Sequence, residues 1–104
     1  MEVTLGPITA VPPGEGRNFQ VGSAQVAVFR SRKGELFATQ AECPHRQGPL
    51  ADGLVGDSTL ICPLHSMKFD LHTGQAQNGE CSLRTYPARQ SEGGQILIDM
   101  SDGT

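Results

Sequence analysis

Two short loops of matched composition constrain this chain more than any other feature of its sequence. The first reads Cys43-Pro44-His45, with Gly48-Pro49-Leu50 shortly after it; the second reads Cys62-Pro63-Leu64-His65 and leads into Phe69-Asp70. Each loop carries one Cys and one His, as C-x-H and C-x-x-H, with sixteen residues between His45 and Cys62. A Pro directly after each Cys fixes φ and removes a backbone donor, which stiffens both loops. Four metal-ligand side chains in two matched pairs require a fold that brings the pairs together. The rest of the chain reads as the scaffold that does so.

That scaffold is expected to be one domain spanning residues 1–104, large enough for a modest core and too small for two. Hydrophobic residues make up 37% of the chain, aromatics 5%, and Trp is absent, which points to a thin, aliphatic core. Thirteen Gly and seven Pro indicate frequent turns and suit short antiparallel strands. A core of that size gains from a metal centre that cross-links its loops. The net charge of −3 and the absence of a Lys/Arg-rich run argue against a nucleic-acid partner. Met1–Pro7 lacks a basic-then-apolar leader, and no apolar run approaches membrane-spanning length, so a soluble cytoplasmic protein without a membrane partner is expected. Three Cys, an odd number, favour metal or redox chemistry over a disulfide framework.

Along the chain, residues 2–9 form a first candidate strand and Val11–Gly16 a turn. Strands are expected over Arg17–Val21 and Ala24–Phe29, joined by a tight Gly22-Ser23 turn, with Val26, Val28 and Ala24 on one face. Ser31–Gly34 is a polar turn, and Leu36–Thr39 delivers the chain to the first loop. Gly48–Gly56 is too rich in Gly, Pro and Asp for a long helix. Thr59–Ile61 runs straight into Cys62, and Lys68–Leu71 places Phe69 and Leu71 on one face before a turn at His72–Gly74. Gln75–Glu80 reads as loop, with last strands over Leu83–Ala88 and Gln95–Met100. Eight or nine short strands favour an antiparallel sandwich or open barrel.

The chemistry of the loops narrows the metal. Thiolates suit zinc or iron–sulfur clusters, and imidazole suits either metal. A zinc finger groups Cys with Cys and His with His. Here each loop is mixed, so two loops approaching a binuclear centre from opposite sides can place both Cys at one iron and both His at the other. Cys43-x-His45…Cys62-x-x-His65 resembles the Rieske [2Fe–2S] motif at all four ligands. Gly48-Pro49-Leu50 and Phe69-Asp70 also fit that family. Val11–Gly16 and Thr85-Tyr86-Pro87 are similar to the small subunit of assimilatory nitrite reductase.

The resemblance implies an all-β Rieske fold: an antiparallel β-sandwich base with an inserted cluster-binding subdomain over about residues 41–74. It implies that Cys43, His45, Cys62 and His65 hold the cluster, that no residue is catalytic on its own, and that the chain transfers one electron at a time. Two neutral imidazoles in place of thiolates make the cluster less negative and raise its potential, to about −150 to +300 mV. Respiratory relatives carry an extra Cys in each loop and a Ser after the second His; Gly48, Leu64 and Met67 stand there, which puts this potential towards the low end. The implied partners are proteins: a flavin-dependent reductase as donor, and a nitrite reductase large subunit or an oxygenase as acceptor. The nitrite reductase small-subunit reading leads, with the ferredoxin of an aromatic-ring dioxygenase as alternative and a redox-inert zinc-binding interaction module as the alternative of another class. Cys81 falls near the segment that covers the cluster in related ferredoxins, where Pro is usual, and is expected to be a buried free thiol. His72 is expected to be solvated, Phe69 to lie in the core, and Arg46 and Gln47 to flank an exposed ligand.

Overall fold

The computed structural model describes residues 2–22, 24–42, 50–56, 58–61, 68–77 and 82–99. They form β1 (Glu2–Pro7), a 3-10 turn (Ile8–Ala10), β2 (Glu15–Val21), β3 (Ala24–Arg30), β4 (Leu36–Gln40) and a second 3-10 turn (Leu50–Asp52). There follow β5 (Leu54–Val55), β6 (Thr59–Ile61), β7 (Lys68–Asp70), β8 (Thr85–Tyr86), β9 (Ala88–Gln90) and β10 (Gln95–Asp99). Every pairing between these strands is antiparallel. The all-β expectation holds.

Three sheets result, ordered β1-β10-β9, β2-β3-β4-β8 and β5-β6-β7. The four-stranded sheet lies between the other two, as its side chains reveal. Val26, Val28, Leu36 and Ala38 pack with Val11, Ile96 and Ile98 on one side. Ala27, Phe29 and Phe37 pack with Leu50, Val55, Leu60, Phe69, Leu71 and Leu83 on the other. Burial on both faces explains why Val26–Phe29 and Leu36–Thr39 are buried without interruption. The one-faced pattern expected of β3 is therefore half of the arrangement: Val26 and Val28 do share a face, and Ala27 and Phe29 serve the second core. That second core is also not aliphatic, because three of the four Phe meet in it.

Most turns fall where Gly and polar residues place them. Gly22 and Gly34 adopt φ of +61° and +93°, and Ser31 accepts the Glu35 N–H through its hydroxyl at 3.1 Å. Several boundaries differ from expectation, and for two of them the backbone bonding supplies the reason. β2 begins at Glu15, because the Gly14 N–H already donates to the Arg30 carbonyl at 2.6 Å and Glu15 pairs with Arg30. The strand expected over Leu83–Ala88 is divided at Pro87, which has no N–H to continue the ladder. There the chain leaves β4 and joins β10, and the Pro87 carbonyl accepts the Asp99 N–H at 2.9 Å. Among the described residues no helix is long and apolar enough to cross a membrane.

Candidate metal centre

The four candidate ligands, Cys43, His45, Cys62 and His65, lie outside the described residues, as do Arg46, Gln47, Gly48, Leu64, Met67 and Cys81. The structure instead fixes the points from which their segments depart and to which they return. β4 carries the chain to the first loop; its Phe37, Ala38 and Thr39 are buried, which anchors the strand up to Gln40. Ala41 and Leu50 close the base of that loop, the Leu50 N–H donating to the Ala41 carbonyl at 3.1 Å. Leu50 is fully buried in the core shared with β6 and β7, so the return point is held by packing as well.

The second loop is closed by register. Ile61 pairs with Lys68 across β6 and β7, so the chain leaves β6 and enters β7 at directly opposed positions. Leu60 and Phe69, opposite one another in that ladder, are fully buried and pin it to the four-stranded sheet. The described residues on either side of 78–81 are tied to the same strands. The Gln77 N–H donates to the Lys68 carbonyl at 2.7 Å, and Gln75 bridges Ser82.

These closures are in contact with one another. Gly53 follows the 3-10 turn that leaves the first loop, and its backbone lies against the Ile61 carbonyl, the group immediately before Cys62. A Cβ at Gly53 would collide with that oxygen. Gln40 joins the third segment to the first: its Nε2 donates to the Glu42 carbonyl at 2.7 Å, and its Oε1 accepts the Arg84 N–H at 2.9 Å. Neither Gly53 nor Gln40 was marked by the sequence. An amide residue at the end of a strand is the single weak signal for Gln40, and nothing marked Gly53 beyond the turn it sits in.

His72, expected to be solvated, is exposed yet not free of contacts. Its ring meets Phe37 edge-on, with centroids 5.1 Å apart, and its backbone N–H donates to Asp70 Oδ1 at 2.8 Å. It lies at the turn after β7, on an open surface depression of about 400 Å³ shared with Glu35, Tyr86 and Pro87, and joins none of the closures above. Phe69 is in the core, as expected.

Two thiols and two imidazoles fit a binuclear iron–sulfur centre by donor chemistry, and the described bases of their segments, at the end of β4 and at the β6–β7 pair, belong to two sheets that share one core. Comparison with known proteins agrees. Residues 1–87 match the family described as the Rieske [2Fe–2S] domain. The biphenyl dioxygenase ferredoxin subunit of Pseudomonas sp. (strain KKS102) is 37% identical over 97 residues, covering 90% of this chain and 87% of that protein. The 4beta-methylsterol monooxygenase of Methylococcus capsulatus is 33% identical over 92 residues; the match takes in 78% of this chain but only 25% of that much longer protein. Among solved structures, one described as an NADH-dependent nitrite reductase small subunit from Mycobacterium tuberculosis superposes with a TM-score of 0.86 at 26% identity, covering 94% of this chain and 93% of that one. The chain belongs to the Rieske [2Fe–2S] domain family, as a ferredoxin-like carrier that transfers electrons through a Rieske-type cluster.

Proposed function

We propose that Cys43 and Cys62 bind one iron of the cluster and His45 and His65 the other, within a cluster-binding subdomain of about residues 41–74 set on a base made by the rest of the single domain. The observation that carries this reading is the contact between the two loop bases, the Leu50–Gly53 turn against Ile61. When bound, the cluster supplies one-electron redox chemistry. The protein orients the ligands through the closures at Ala41–Leu50 and Ile61–Lys68, and excludes water from beneath through Leu50, Leu60 and Phe69. Iron content, visible absorbance and electron paramagnetic resonance of single Cys→Ser and His→Ala variants test the ligand set. Loss of the chromophore is expected at each of the four positions and not at Cys81→Ser. A colourless, zinc-loaded wild-type protein would overturn the reading in favour of a structural zinc module.

The carrier works with protein redox partners, which we propose are a flavin-dependent reductase as donor and a nitrite reductase large subunit as acceptor. The superposition on a nitrite reductase small subunit over nearly the full length of both chains supports that acceptor. The 37% identity to a biphenyl dioxygenase ferredoxin subunit favours a second reading, an aromatic-ring oxygenase as acceptor. Capture on tagged, iron-loaded protein separates them: a large reductase containing flavin and sirohaem supports the first, and an oxygenase the second. Cysteine used as thiolate suits a reducing compartment, and we place the protein in the cytoplasm.

A further inference from the structure

We propose that Gln40 is a positioning residue for the metal centre, holding the entry of the first ligand loop at a fixed spacing from the segment that returns after residue 81. The proposal rests on the ligand assignment above.

The argument starts where β4 ends. β4 and β8 pair Ala38 with Tyr86 and Thr39 with Thr85, so the next rung of the ladder would join Gln40 and Arg84 through both backbones. Half of that rung forms: the Gln40 N–H donates to the Arg84 carbonyl at 2.9 Å. The other half is replaced. The Arg84 N–H donates to Gln40 Oε1 at 2.9 Å, and the displaced Gln40 carbonyl accepts the hydroxyl of the fully buried Thr39 at 2.8 Å. The Gln40 carbonyl is thereby released from the β8 ladder without being left unpaired, while Gln40 keeps its register with Val26 on β3. The opposite end of the same amide donates from Nε2 to the Glu42 carbonyl at 2.7 Å, one residue before Cys43.

A side chain that merely ended a strand would need one of these bonds. Gln40 makes both, and they reach two segments far apart in sequence: Glu42, which opens the first ligand loop, and Arg84, which follows segment 78–81 closely. Glutamine is suited to this because one planar amide presents an acceptor and a donor in fixed relation. Glutamate would keep the acceptor but set a carboxylate oxygen against the Glu42 carbonyl. Methionine would keep the length and lose both bonds.

The test uses the full chain with its cluster. Gln40→Met and Gln40→Glu are compared with wild type and with Val28→Ala, which lowers global stability from the core on the opposite face of the central sheet. Three quantities are read: the rate of absorbance loss under an iron chelator, the midpoint potential, and exchange of the Arg84 amide proton. Both Gln40 variants are expected to lose the cluster about tenfold faster than wild type, the scale of one or two lost hydrogen bonds. Both are expected to shift the midpoint potential, while Val28→Ala leaves the potential unchanged at an equal or lower unfolding midpoint. Arg84 exchange is expected to rise about tenfold in Gln40→Met and to stay near wild type in Gln40→Glu. If Gln40→Met does not fold, Gln40→Glu decides, because it keeps the tie to Arg84. Potential and cluster retention equal to wild type, or no worse than Val28→Ala at matched stability, would overturn the proposal. A wild-type protein without iron would instead overturn the ligand assignment, which the variants cannot do.

Discussion

Replacing Gly53 by Ala tests whether the two loop bases are in contact as described. Gly53 has no positive φ, so its backbone tolerates Ala and the cost is steric alone. The new Cβ would collide with the Ile61 carbonyl and stand 3.0 Å from Leu60 Cδ1 and 3.1 Å from the Leu50 carbonyl. Backbone can give way only by breaking register, since Ile61 is paired with both Leu54 and Lys68. Leu60 cannot turn aside, because it is fully buried. Overpacking of this kind costs about 1–3 kcal/mol, and two backbone oxygens place this case in the upper half of that range. Against it stands the lower entropy of the unfolded chain on going from Gly to Ala, about 0.4–1 kcal/mol. A net loss of about 1–2.5 kcal/mol is therefore expected. Gly56→Ala is the control three residues on. Its nearest neighbour would be the Thr59 carbonyl oxygen at 3.8 Å, an ordinary contact, so the entropic gain is left unopposed. Urea unfolding of the two variants should move in opposite directions from wild type, and iron content should fall only in Gly53→Ala. Equal stability of the two variants would refute the contact between the loop bases.

Phe69→Ala removes a fully buried ring from the core beneath the second loop and should cost about 3–5 kcal/mol, read by urea unfolding. Removing Arg89, whose guanidinium pairs with Glu2 at 3.0 Å in a solvent-exposed bridge, should cost less than about 1 kcal/mol and still less at high salt. With imidazole ligands, an added electron favours protonation of the rings, so uptake of a proton accompanies reduction once the oxidised form has lost it. Where the far nitrogens of His45 and His65 are exposed, the midpoint potential should then be constant in acid and fall with rising pH; a flat titration through strongly alkaline solution would rule out this proton coupling.

Local chemistry was legible in the sequence, and tertiary consequence was not. The Cys/His spacing identified the family because metal ligands need particular atoms at particular separations. Turns at Gly22, Gly34 and Gly74 were legible because each needs the left-handed backbone they adopt. The β3 pattern misled by half: alternation marks one buried face, and only the packing of a third sheet reveals that Ala27 and Phe29 are buried as well. Pro87 was visible as a residue, but its effect, moving the chain from one sheet to another, depends on where β10 lies. Beyond its place at a strand end, the role of Gln40 was not legible, because its partner Arg84 is 44 residues downstream, a separation at which no sequence pattern operates.

The arrangement of the sheets also governs the order in which the molecule assembles. β6 and β7 are joined by a short connection, and local hairpins of this kind close in about 1–10 μs. Thr39 meets Thr85, and Glu2 meets Asp99, only after long stretches of chain have been gathered in, and such distant pairings put all-β domains in about the millisecond-to-second range. The β6–β7 hairpin is thus expected to form early, whereas the Gln40–Arg84 junction is expected to close late. A chain in which β6 and β7 have paired and β4 and β8 have not already holds Ile61 opposite Lys68, but does not yet tie Glu42 to Arg84 through the Gln40 amide.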